Sequence, residues 1–319
     1  MNPISRRRFT SSLAGLIAGG ITTAPRARAR GNRTLLKIRV GSSIFSGIKI
    51  GQARTIIKPV TALIAERANC DLDFGIPTVA RKEDLYALGQ ALLRGEIHVA
   101  GIWGLEAGWL KKEYPKLQIL VSAQYPKESN RSVIYARKGA FTNLGSLQGK
   151  VIAQYAKLSL MEELYTGELL RSQSFPPAHF FRLSSQIYVN AKSAIKAIEA
   201  GKADCGIVDA VTYQNLQEDA PSLLGHLQIV AQTADYPPPA VVGSPERIEE
   251  LRPGLWQVLR NVMIGIGSDA QGQELIRKWR VRAFEEPNER NQEKIQDAVN
   301  RFRQAIYDHQ ILPARPLTA

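Results

Sequence analysis

Short apolar runs alternate along most of the chain with segments whose apolar residues lie three or four positions apart. In the first helix-like segment, residues 54–68, Ile57, Val60 and Ile64 recur on one face, as in an amphipathic helix. Strands are predicted at residues 35–41, 71–76, 97–102, 118–123, 132–137, 150–154, 180–182, 203–208 and 228–231. Helices are predicted at residues 54–68, 84–94, 160–172, 245–265, 271–279 and 288–309. This alternation predicts an α/β fold with parallel sheets.

Two stretches of the chain are similar to each other. Residues 92–102 and 198–208 each contain the end of a helical segment, a glycine (Gly95 or Gly201), two connecting residues and an apolar strand. Glycine at this place ends a helix because it adopts the left-handed conformation without strain. The repeat indicates one such unit in each of two similar lobes, or a coincidence, since helix–glycine–strand units are frequent in α/β proteins.

The last third of the chain has a different pattern. Tyr236 is followed by prolines at 237–239, which fit neither a helix nor a central strand. The final helical segment, 288–309, is amphipathic. Its apolar residues at core spacing are Ile295, Val299, Phe302 and Ile306.

The N-terminus has the features of an export signal. Residues 1–8 are basic, residues 13–21 are apolar but too short for a membrane anchor, and residues 27–29 (Ala-Arg-Ala) fit a signal-peptidase site. Residues 5–9 match the Ser-Arg-Arg-x-Phe core of twin-arginine signals. We therefore expect a signal peptide over residues 1–29, export by the twin-arginine translocase, and a soluble periplasmic protein. The alternative is a basic tail followed by a helix that belongs to the fold.

The charge of the chain argues against nucleic acid as a partner. The formal net charge is +13 over 319 residues. Five arginines and no acid lie in residues 1–29, so the rest of the chain carries +8. The remaining basic residues are spread among the acids, whereas nucleic-acid binding needs a concentrated basic patch. A diffuse positive surplus fits an anionic ligand or plain solubility equally well.

The chain lacks the residue patterns that catalysis or metal binding requires. Its two cysteines, Cys70 and Cys205, and its four histidines have no ligand spacing. No glycine-rich nucleotide loop, Ser/His/Asp set or metal motif occurs. We expect no metal, no cofactor and no enzymatic activity. An oxidising compartment permits a disulfide, but a twin-arginine substrate folds before export, so two buried free thiols are expected.

The order of these features resembles a known family, the phosphate/phosphite/phosphonate substrate-binding proteins of ABC transporters. The landmarks are Gly41, residues 95–100 (Gly-Glu-Ile-His-Val-Ala), Trp103 and Gly104, residues 147–153 (Leu-Gln-Gly-Lys-Val-Ile-Ala), 201–204 (Gly-Lys-Ala-Asp), 237–239 (three prolines) and 272–276 (Gly-Gln-Glu-Leu-Ile). The resemblance implies the type II periplasmic binding protein architecture, an α/β fold with two Rossmann-like lobes joined by a two-strand hinge. It implies residues 30–125 plus 235–319 in lobe 1 and residues 126–234 in lobe 2.

The resemblance also implies a function in uptake. The chain would be a periplasmic solute-binding protein that takes up a small phosphonate- or phosphate-like anion between its lobes and delivers it to the membrane permease of an ABC transporter. Sulfonates, carboxylates and vitamin precursors stay open as ligands. A binding protein that senses ligand for a signalling partner uses the same lobes, and some enzymes share the fold.

Candidate ligand contacts follow from a general rule for open α/β sheets. Ligands bind at the carboxyl ends of strands, and helix N-termini present free N–H groups to anions. The candidates in the loops after the predicted strands are Ser42, Ser43, Ser46, Trp103, Glu106, Tyr155, Lys157, Ser159, Asp209, Thr212, Asp235 and Tyr236.

Each candidate also has a structural alternative. The early serines suit a turn backbone, Trp103 suits the core between lobes, and Ser159 suits a helix N-cap. Lys157 suits a solvated surface, and Asp209 suits a partner within the protein. The family carries a run of Ser and Thr at the start of the second-lobe helix, whereas residues 155–160 contain Ser159 as their one serine or threonine. This departure argues against a full phosphonate cradle.

Overall fold

The computed structural model describes residues 33–45, 50–79, 82–125, 130–153, 155, 160–279 and 281–308. The described residues from Thr34 onwards belong to one compact unit. The predicted signal peptide, residues 1–29, lies outside the described residues. None of the described helices is both long enough and apolar enough to span a bilayer.

The described residues form eleven strands and twelve α-helices. The strands are β1 (Thr34–Val40), β2 (Cys70–Gly75), β3 (Val99–Ile102), β4 (Gln118–Gln124), β5 (Ser132–Arg137), β6 (Val151–Ala153), β7 (Arg182–Leu183), β8 (Cys205–Asp209), β9 (Leu227–Gln232), β10 (Ala240–Gly243) and β11 (Ala283–Glu285). The helices are α1 (Ile50–Arg67), α2 (Lys82–Leu93), α3 (Gly104–Glu113), α4 (Leu160–Ser172), α5 (Pro177–Phe180), α6 (Ala191–Glu199), α7 (Ala210–Asp219), α8 (Pro221–Leu224), α9 (Pro245–Leu251), α10 (Leu255–Ile264), α11 (Ala270–Lys278) and α12 (Glu289–Asp308).

The strands form two mixed sheets. The first has the order β11-β4-β10-β3-β1-β2. Its strand β1 is parallel to β2 and β3, whereas β10 is antiparallel to β3 and β4, and β11 is antiparallel to β4. The second sheet has the order β7-β6-β8-β5-β9. Its strand β6 is parallel to β7 and β8, and β5 is antiparallel to β8 and β9.

The expectation of parallel sheets is therefore wrong for part of each sheet. Parallel neighbours arise where a helix returns the chain to the same sheet, as α1 does between β1 and β2. Strands β5 and β10 instead enter their sheets directly from the other sheet, through residues 125–131 and 233–239. A strand that arrives without a crossover helix is free to run antiparallel to its neighbours.

The chain thus passes between the sheets twice. The first sheet takes its strands from residues 34–124 and 240–285, and the second takes them from residues 132–232. We call residues 125–131 and 233–239 the two passages. The lobe boundaries, 30–125 plus 235–319 and 126–234, stay a prediction.

The repeated helix–glycine–strand unit is present once in each sheet. Gly95 between α2 and β3 has φ +71°, and Gly201 between α6 and β8 has φ +72°. Strands β3 and β8 each lie between one parallel and one antiparallel neighbour. Each strand continues into a helix, α3 or α7. The similarity in sequence therefore corresponds to equivalent units in the two sheets.

Several predicted elements need correction. Residues 245–265 form two helices, α9 and α10, because Pro253 lacks an N–H group and Gly254 is left-handed at φ +77°. Phe180 ends the short helix α5 and does not begin a strand, because Pro177 favours a helical first turn. Helices α3 and α7 are absent from the prediction. Residues 104–110 of α3 are all buried and α7 is mostly polar, so neither has an amphipathic pattern.

The C-terminal helix α12 packs as its apolar spacing predicts. The buried predicted core residues are Ile295, Val299 and Phe302. The side chain of Ile306 lies outside the described residues. Gly108 of α3 lies so close that an added Cβ would be 2.2 Å from Cγ2 of Ile295. Phe302 packs on Tyr165 of α4 with ring centroids 4.8 Å apart, so α12 contacts helices that follow strands of both sheets.

Both cysteines are buried and no disulfide joins them, as predicted. Cys70 belongs to β2 and Cys205 to β8, so the two residues lie in different sheets. Burial raises the pKa of the Cys205 thiol, which is therefore protonated at neutral pH.

Candidate functional site

A cleft of about 230 Å³ lies where strands of both sheets end. On the side of the first sheet it is lined by the turn after β1 and by Trp103, which directly follows β3. On the side of the second sheet it is lined by Asp209, the last residue of β8, and by α7. The carboxyl ends of strands from the parallel parts of both sheets therefore meet at this cleft, as the rule for open α/β sheets predicts.

One wall of the cleft is mainly apolar and aromatic, and we call it the aromatic wall. Its side chains are Ile44, Phe45, Gln52, Ile56, Trp103 and Tyr125. The first two belong to the 3-10 turn Ser42–Phe45. Trp103 is buried, and its ring packs edge-on against Tyr236 with centroids 5.2 Å apart. The turn and the start of α3 thus contribute adjacent parts of this wall.

A buried carboxyl group joins these two parts. Glu106 lies in the first turn of α3, and its Oε2 accepts hydrogen bonds from the backbone N–H of Trp103 at 3.0 Å and from the hydroxyl of Ser43 at 3.3 Å. The indole Nε1 of Trp103 donates to the carbonyl oxygen of Ser43 at 3.1 Å. The hydroxyl oxygen of Ser42 accepts from the backbone N–H of Val79 at 3.1 Å. Both serine hydroxyls therefore bond to groups of the protein.

The environment of Glu106 changes its acidity. Burial raises the pKa of Glu106 to about 8, and this effect outweighs the opposing hydrogen bonds from Trp103 and Ser43. The cause is the loss of hydration, which destabilises the charged form. At neutral pH the side chain is therefore an uncharged acid, and it adds no negative charge beside the aromatic wall.

The opposite wall is the polar face of α7, and we call it the acidic wall. Asp209 caps the helix, since its Oδ1 accepts a hydrogen bond from the backbone N–H of Thr212 at 2.8 Å. Thr212, Asn215 and Asp219 are three or four residues apart, so they share one helical face, and all three line the cleft. In the part of the chain that the structure describes, no group of three His, Cys, Asp or Glu side chains is placed to hold a metal ion.

Two residues where α11 ends also line the cleft, Lys278 and Trp279. The Nζ atom of Lys278 is 2.6 Å from Oε1 of Glu274, one helical turn earlier. The indole Nε1 of Trp279 is buried and has no hydrogen-bond partner among the described residues. The end of α11 therefore brings a cation and a hydrogen-bond donor to the cleft region.

The passages between the sheets contain two further candidates. The hydroxyl of Tyr236 in the second passage donates to the carbonyl oxygen of Arg131 in the first, at 3.1 Å. Asp235 forms an ion pair with the guanidinium of Arg131 at 2.8 Å.

Tyr155, another candidate, follows β6. Its hydroxyl donates to Oε1 of Glu162 at 2.6 Å. Burial raises the pKa of the phenol groups of Tyr155 and Tyr236, so each remains a hydrogen-bond donor at neutral pH.

The predicted site residues fall into three groups, apart from Asp235, which is exposed and pairs with Arg131. Those that line the cleft are Trp103, Asp209 and Thr212. Those that are buried and bond to protein groups are Ser42, Ser43, Glu106, Tyr155 and Tyr236. Those outside the described residues are Ser46, Lys157 and Ser159. The role of all of them as ligand contacts stays a prediction.

Sequence reasoning missed ten residues that line the cleft, among them Asn215, Asp219, Lys278 and Trp279. A signal for the first two was present, because polar residues recur three or four positions apart directly after an apolar strand. No local pattern marks the other two. They reach the cleft because α11 packs beside α1, which is distant in sequence.

Known proteins share this fold. A family model described as the periplasmic substrate-binding protein of phosphonate ABC transporters matches residues 55–291. No curated protein sequence matches the chain.

Similar solved structures include PhnD1 from Prochlorococcus marinus in complex with methylphosphonate. It is 11% identical, with a TM-score of 0.66 over 85% of this chain and 99% of that chain. A binding protein component of an ABC phosphonate transporter from Pseudomonas aeruginosa is 12% identical, with a TM-score of 0.67 over 90% and 91%. The aliphatic sulphonate binding protein SsuA from Escherichia coli is 12% identical, with a TM-score of 0.54 over 90% and 94%.

At such low identities these structures show the fold, which is the type II periplasmic binding protein fold with two lobes and a two-strand hinge. The predicted architecture is thereby confirmed. The family is one of transport proteins that bind a small ligand in the periplasm for an ABC permease. Because the family model matches well over half of the chain, this protein belongs to the periplasmic substrate-binding proteins of phosphonate ABC transporters.

Proposed function

We propose that this protein binds a small phosphonate-like anion in the cleft and delivers it to the membrane permease of an ABC transporter. The cleft volume of about 230 Å³ supports a small ligand, since sites for drug-sized molecules measure roughly 300–1,000 Å³. The similar PhnD1 structure contains methylphosphonate, and SsuA binds aliphatic sulphonates. Small organic oxyanions are therefore the ligand class we propose.

The observation that carries this proposal is which helix N-termini around the cleft already have a carboxyl group of the protein beside them. A helix N-terminus attracts an anion because its N–H groups are unpaired and its dipole is positive there. At α7 the carboxyl group of Asp209 already holds this place, because it accepts the N–H of Thr212. At α3 the carboxyl group of Glu106 lies buried in the first turn and accepts the N–H of Trp103, the residue before the helix. An anion at either helix would therefore lie beside a carboxyl group of the protein.

Helix α4 is the better site. It follows β6, which is parallel to β8, so its N-terminus lies at the same sheet edge as Asp209. Lys157 and Ser159 directly precede this helix in the sequence. We propose that the oxyanion binds at the start of α4 and that these two residues contact it.

The two walls then orient the ligand. The aromatic wall offers Phe45 and Trp103 to an apolar substituent. The acidic wall carries Asp209 and Asp219, which repel negative charge. The organic group of the ligand therefore faces the aromatic wall, and its oxyanion points away from α7.

Titration calorimetry with methylphosphonate, inorganic phosphate, methanesulfonate and acetate tests the proposal. Lys157→Ala should weaken the best anion about tenfold or more, because a charge-assisted hydrogen bond contributes roughly 1.5–3 kcal/mol and each 1.4 kcal/mol is about a factor of ten. Ser159→Ala should have a smaller effect, because the backbone N–H groups remain. The matched control is Lys116→Ala, since Lys116 is exposed and pairs with Glu246 at 3.2 Å. The proposal is wrong if none of the four anions binds or if Lys157→Ala equals the control.

We further propose that the twin-arginine translocase exports the protein to the periplasm. The supporting feature is the Ser-Arg-Arg-x-Phe pattern at residues 5–9. Lysine lacks the planar fork of arginine, so changing Arg6 and Arg7 together to Lys should leave the precursor in the cytoplasm. Cell fractionation measures this, and normal release of the doubly substituted protein would exclude the twin-arginine route.

A further inference from the structure

Glu106 connects the two parts of the aromatic wall. Its Oε2 accepts a hydrogen bond from the hydroxyl of Ser43, in the turn after β1, and another from the backbone N–H of Trp103, at the start of α3. The indole of Trp103 donates back to the carbonyl oxygen of Ser43, which closes a ring of hydrogen bonds. Ile44 and Phe45, the next residues of the turn, line the cleft together with Trp103. The placement of these three side chains therefore depends on Glu106.

We propose that Glu106 is a positioning residue for the binding of an anionic ligand: its buried carboxyl group holds the turn after β1 against the start of α3 and so keeps the aromatic wall in place. It acts through Ser43 and Trp103 and does not itself contact the ligand. The part of this inference that concerns an anion rests on the proposed function. The part that concerns the wall rests on the hydrogen bonds alone.

The surroundings of Glu106 favour its uncharged form. The side chain is 2% exposed, and burial raises its pKa to about 8. Charged groups on the neighbouring elements have partners of their own. These groups are Asp235, which pairs with Arg131, Arg301 of α12, which pairs with Glu168, and Asp209, which caps α7. No described residue forms a salt bridge with Glu106.

An ionised Glu106 and an anion in the cleft would repel each other across a region of low dielectric constant. By linkage, ligand binding and ionisation of Glu106 oppose each other to the same degree. The affinity for an anion should therefore fall as the pH rises through the pKa of Glu106. Gln at this position keeps the acceptor oxygen but does not ionise, so it should remove this part of the pH dependence.

The first experiment compares wild type with Glu106→Gln by calorimetry, using methylphosphonate from pH 6.5 to pH 9. At each pH the ligand has the same ionisation state in both titrations, so the ratio of the two affinities reports the effect of Glu106 alone. The ratio should be near one at pH 6.5, and wild type should become weaker by about fivefold or more at pH 9. Glu106→Ala should bind weakly at every pH, because it loses the acceptor. The control Glu96→Gln, at an exposed residue paired with Arg94, should follow wild type.

The second experiment requires no ligand. The indole N–H resonance of Trp103 is identified by its loss in Trp103→Phe and followed by NMR between pH 6 and pH 9.5. It should shift in wild type with an apparent pKa near 8 and stay constant in Glu106→Gln. A carboxyl group that is already ionised at pH 6 would produce no such titration.

The outcomes separate this inference from the proposed function. If Glu106→Ala leaves both the indole resonance of Trp103 and the affinity at pH 6.5 as in wild type, the positioning role is overturned. If methylphosphonate binds with an affinity ratio that is independent of pH, the electrostatic role is overturned while the proposed function stands. If Glu106→Ala shifts the resonance and none of the small anions binds, the proposed function fails while the link between Glu106 and the aromatic wall stands.

Discussion

The strand-to-helix junctions at residues 102–104 and 208–210 occupy equivalent places in the two sheets, yet they build different walls of the cleft. At the first junction the N-cap residue is Trp103, and at the second it is Asp209. A tryptophan side chain has no acceptor for the helix N–H groups, and Glu106 from the first turn instead accepts the backbone N–H of Trp103 itself. Asp209 caps its helix itself and remains at the cleft. The choice of capping residue therefore decides whether a wall is aromatic and neutral or acidic.

Helices α3 and α7 also differ in their first residue. Helix α3 begins with Gly104 and α7 begins with Ala210. An added Cβ on Gly104 would lie 2.4 Å from the carbonyl oxygen of Pro238 and 2.7 Å from Cβ of Pro237. The second passage thus packs directly on the start of α3. Close approach of another backbone, and not the helix itself, requires glycine at this position.

The largest expected effect concerns the charge of Glu106. Its pKa of about 8 in the folded protein exceeds the ordinary value of 4.5, so its contribution to stability is complete below pH 4.5 and declines as the pH rises towards 8. Glu106→Gln removes this loss and should raise the free energy of unfolding at pH 7 by on the order of 3 kcal/mol. Urea unfolding at pH 5, 7 and 9 measures the effect.

The matched control is Glu96→Gln, because Glu96 is exposed beside Arg94. This variant should keep the wild-type dependence of stability on pH over the same range. Equal slopes for wild type and Glu106→Gln between pH 5 and pH 8 would show that Glu106 is not the uncharged partner of the aromatic wall.

A smaller effect is expected at the first residues of the two helices. Gly104→Ala should lower the free energy of unfolding by about 1–3 kcal/mol, because the added methyl group overpacks the contact with the second passage. Ala210→Gly should cost about 0.5–1 kcal/mol, the usual backbone-entropy penalty. Thermal and chemical denaturation of both variants test this order, and a harmless Gly104→Ala would mean that the passage does not pack on α3.

The smallest effect is expected from the cap of α7. Asp209→Ala removes the acceptor for the N–H of Thr212 and should cost about 1 kcal/mol. Asp209→Asn keeps an acceptor oxygen and should cost less. If both substitutions are equally destabilising in urea unfolding, the side chain stabilises the protein through something other than the cap.

Local patterns in the sequence account for much of the fold. The helix ends at Gly95 and Gly201 were predictable, because a left-handed residue after a helix favours glycine for local steric reasons. Most strands and the longer helices were predicted with small differences at their ends, whereas β10, β11, α3 and α7 were not predicted. The antiparallel entry of β5 and β10 was not predictable, because strand direction depends on which sheet the chain reaches after each passage.

The candidate site was less predictable than the fold. Asp209 and Trp103 follow apolar strands in the sequence, and both line the cleft. Glu106 was also a candidate, but its position in the sequence does not reveal that it bonds to Ser43, which lies 63 residues earlier in the chain. Lys278 and Trp279 carry no local mark of function at all, since they come to the cleft through the packing of α11 on α1.

The sequence by itself determined most of the strands and the longer helices, the glycine stops, and the polar groups placed after strands, because these depend on contacts between near neighbours in the chain. The tertiary structure alone decided which of those groups line the cleft and which are buried. It also decided the charge of Glu106, because the pKa of a carboxyl group depends on the water that distant segments exclude from it. Burial is a property of the whole packed molecule, and the identity of a single residue does not contain it.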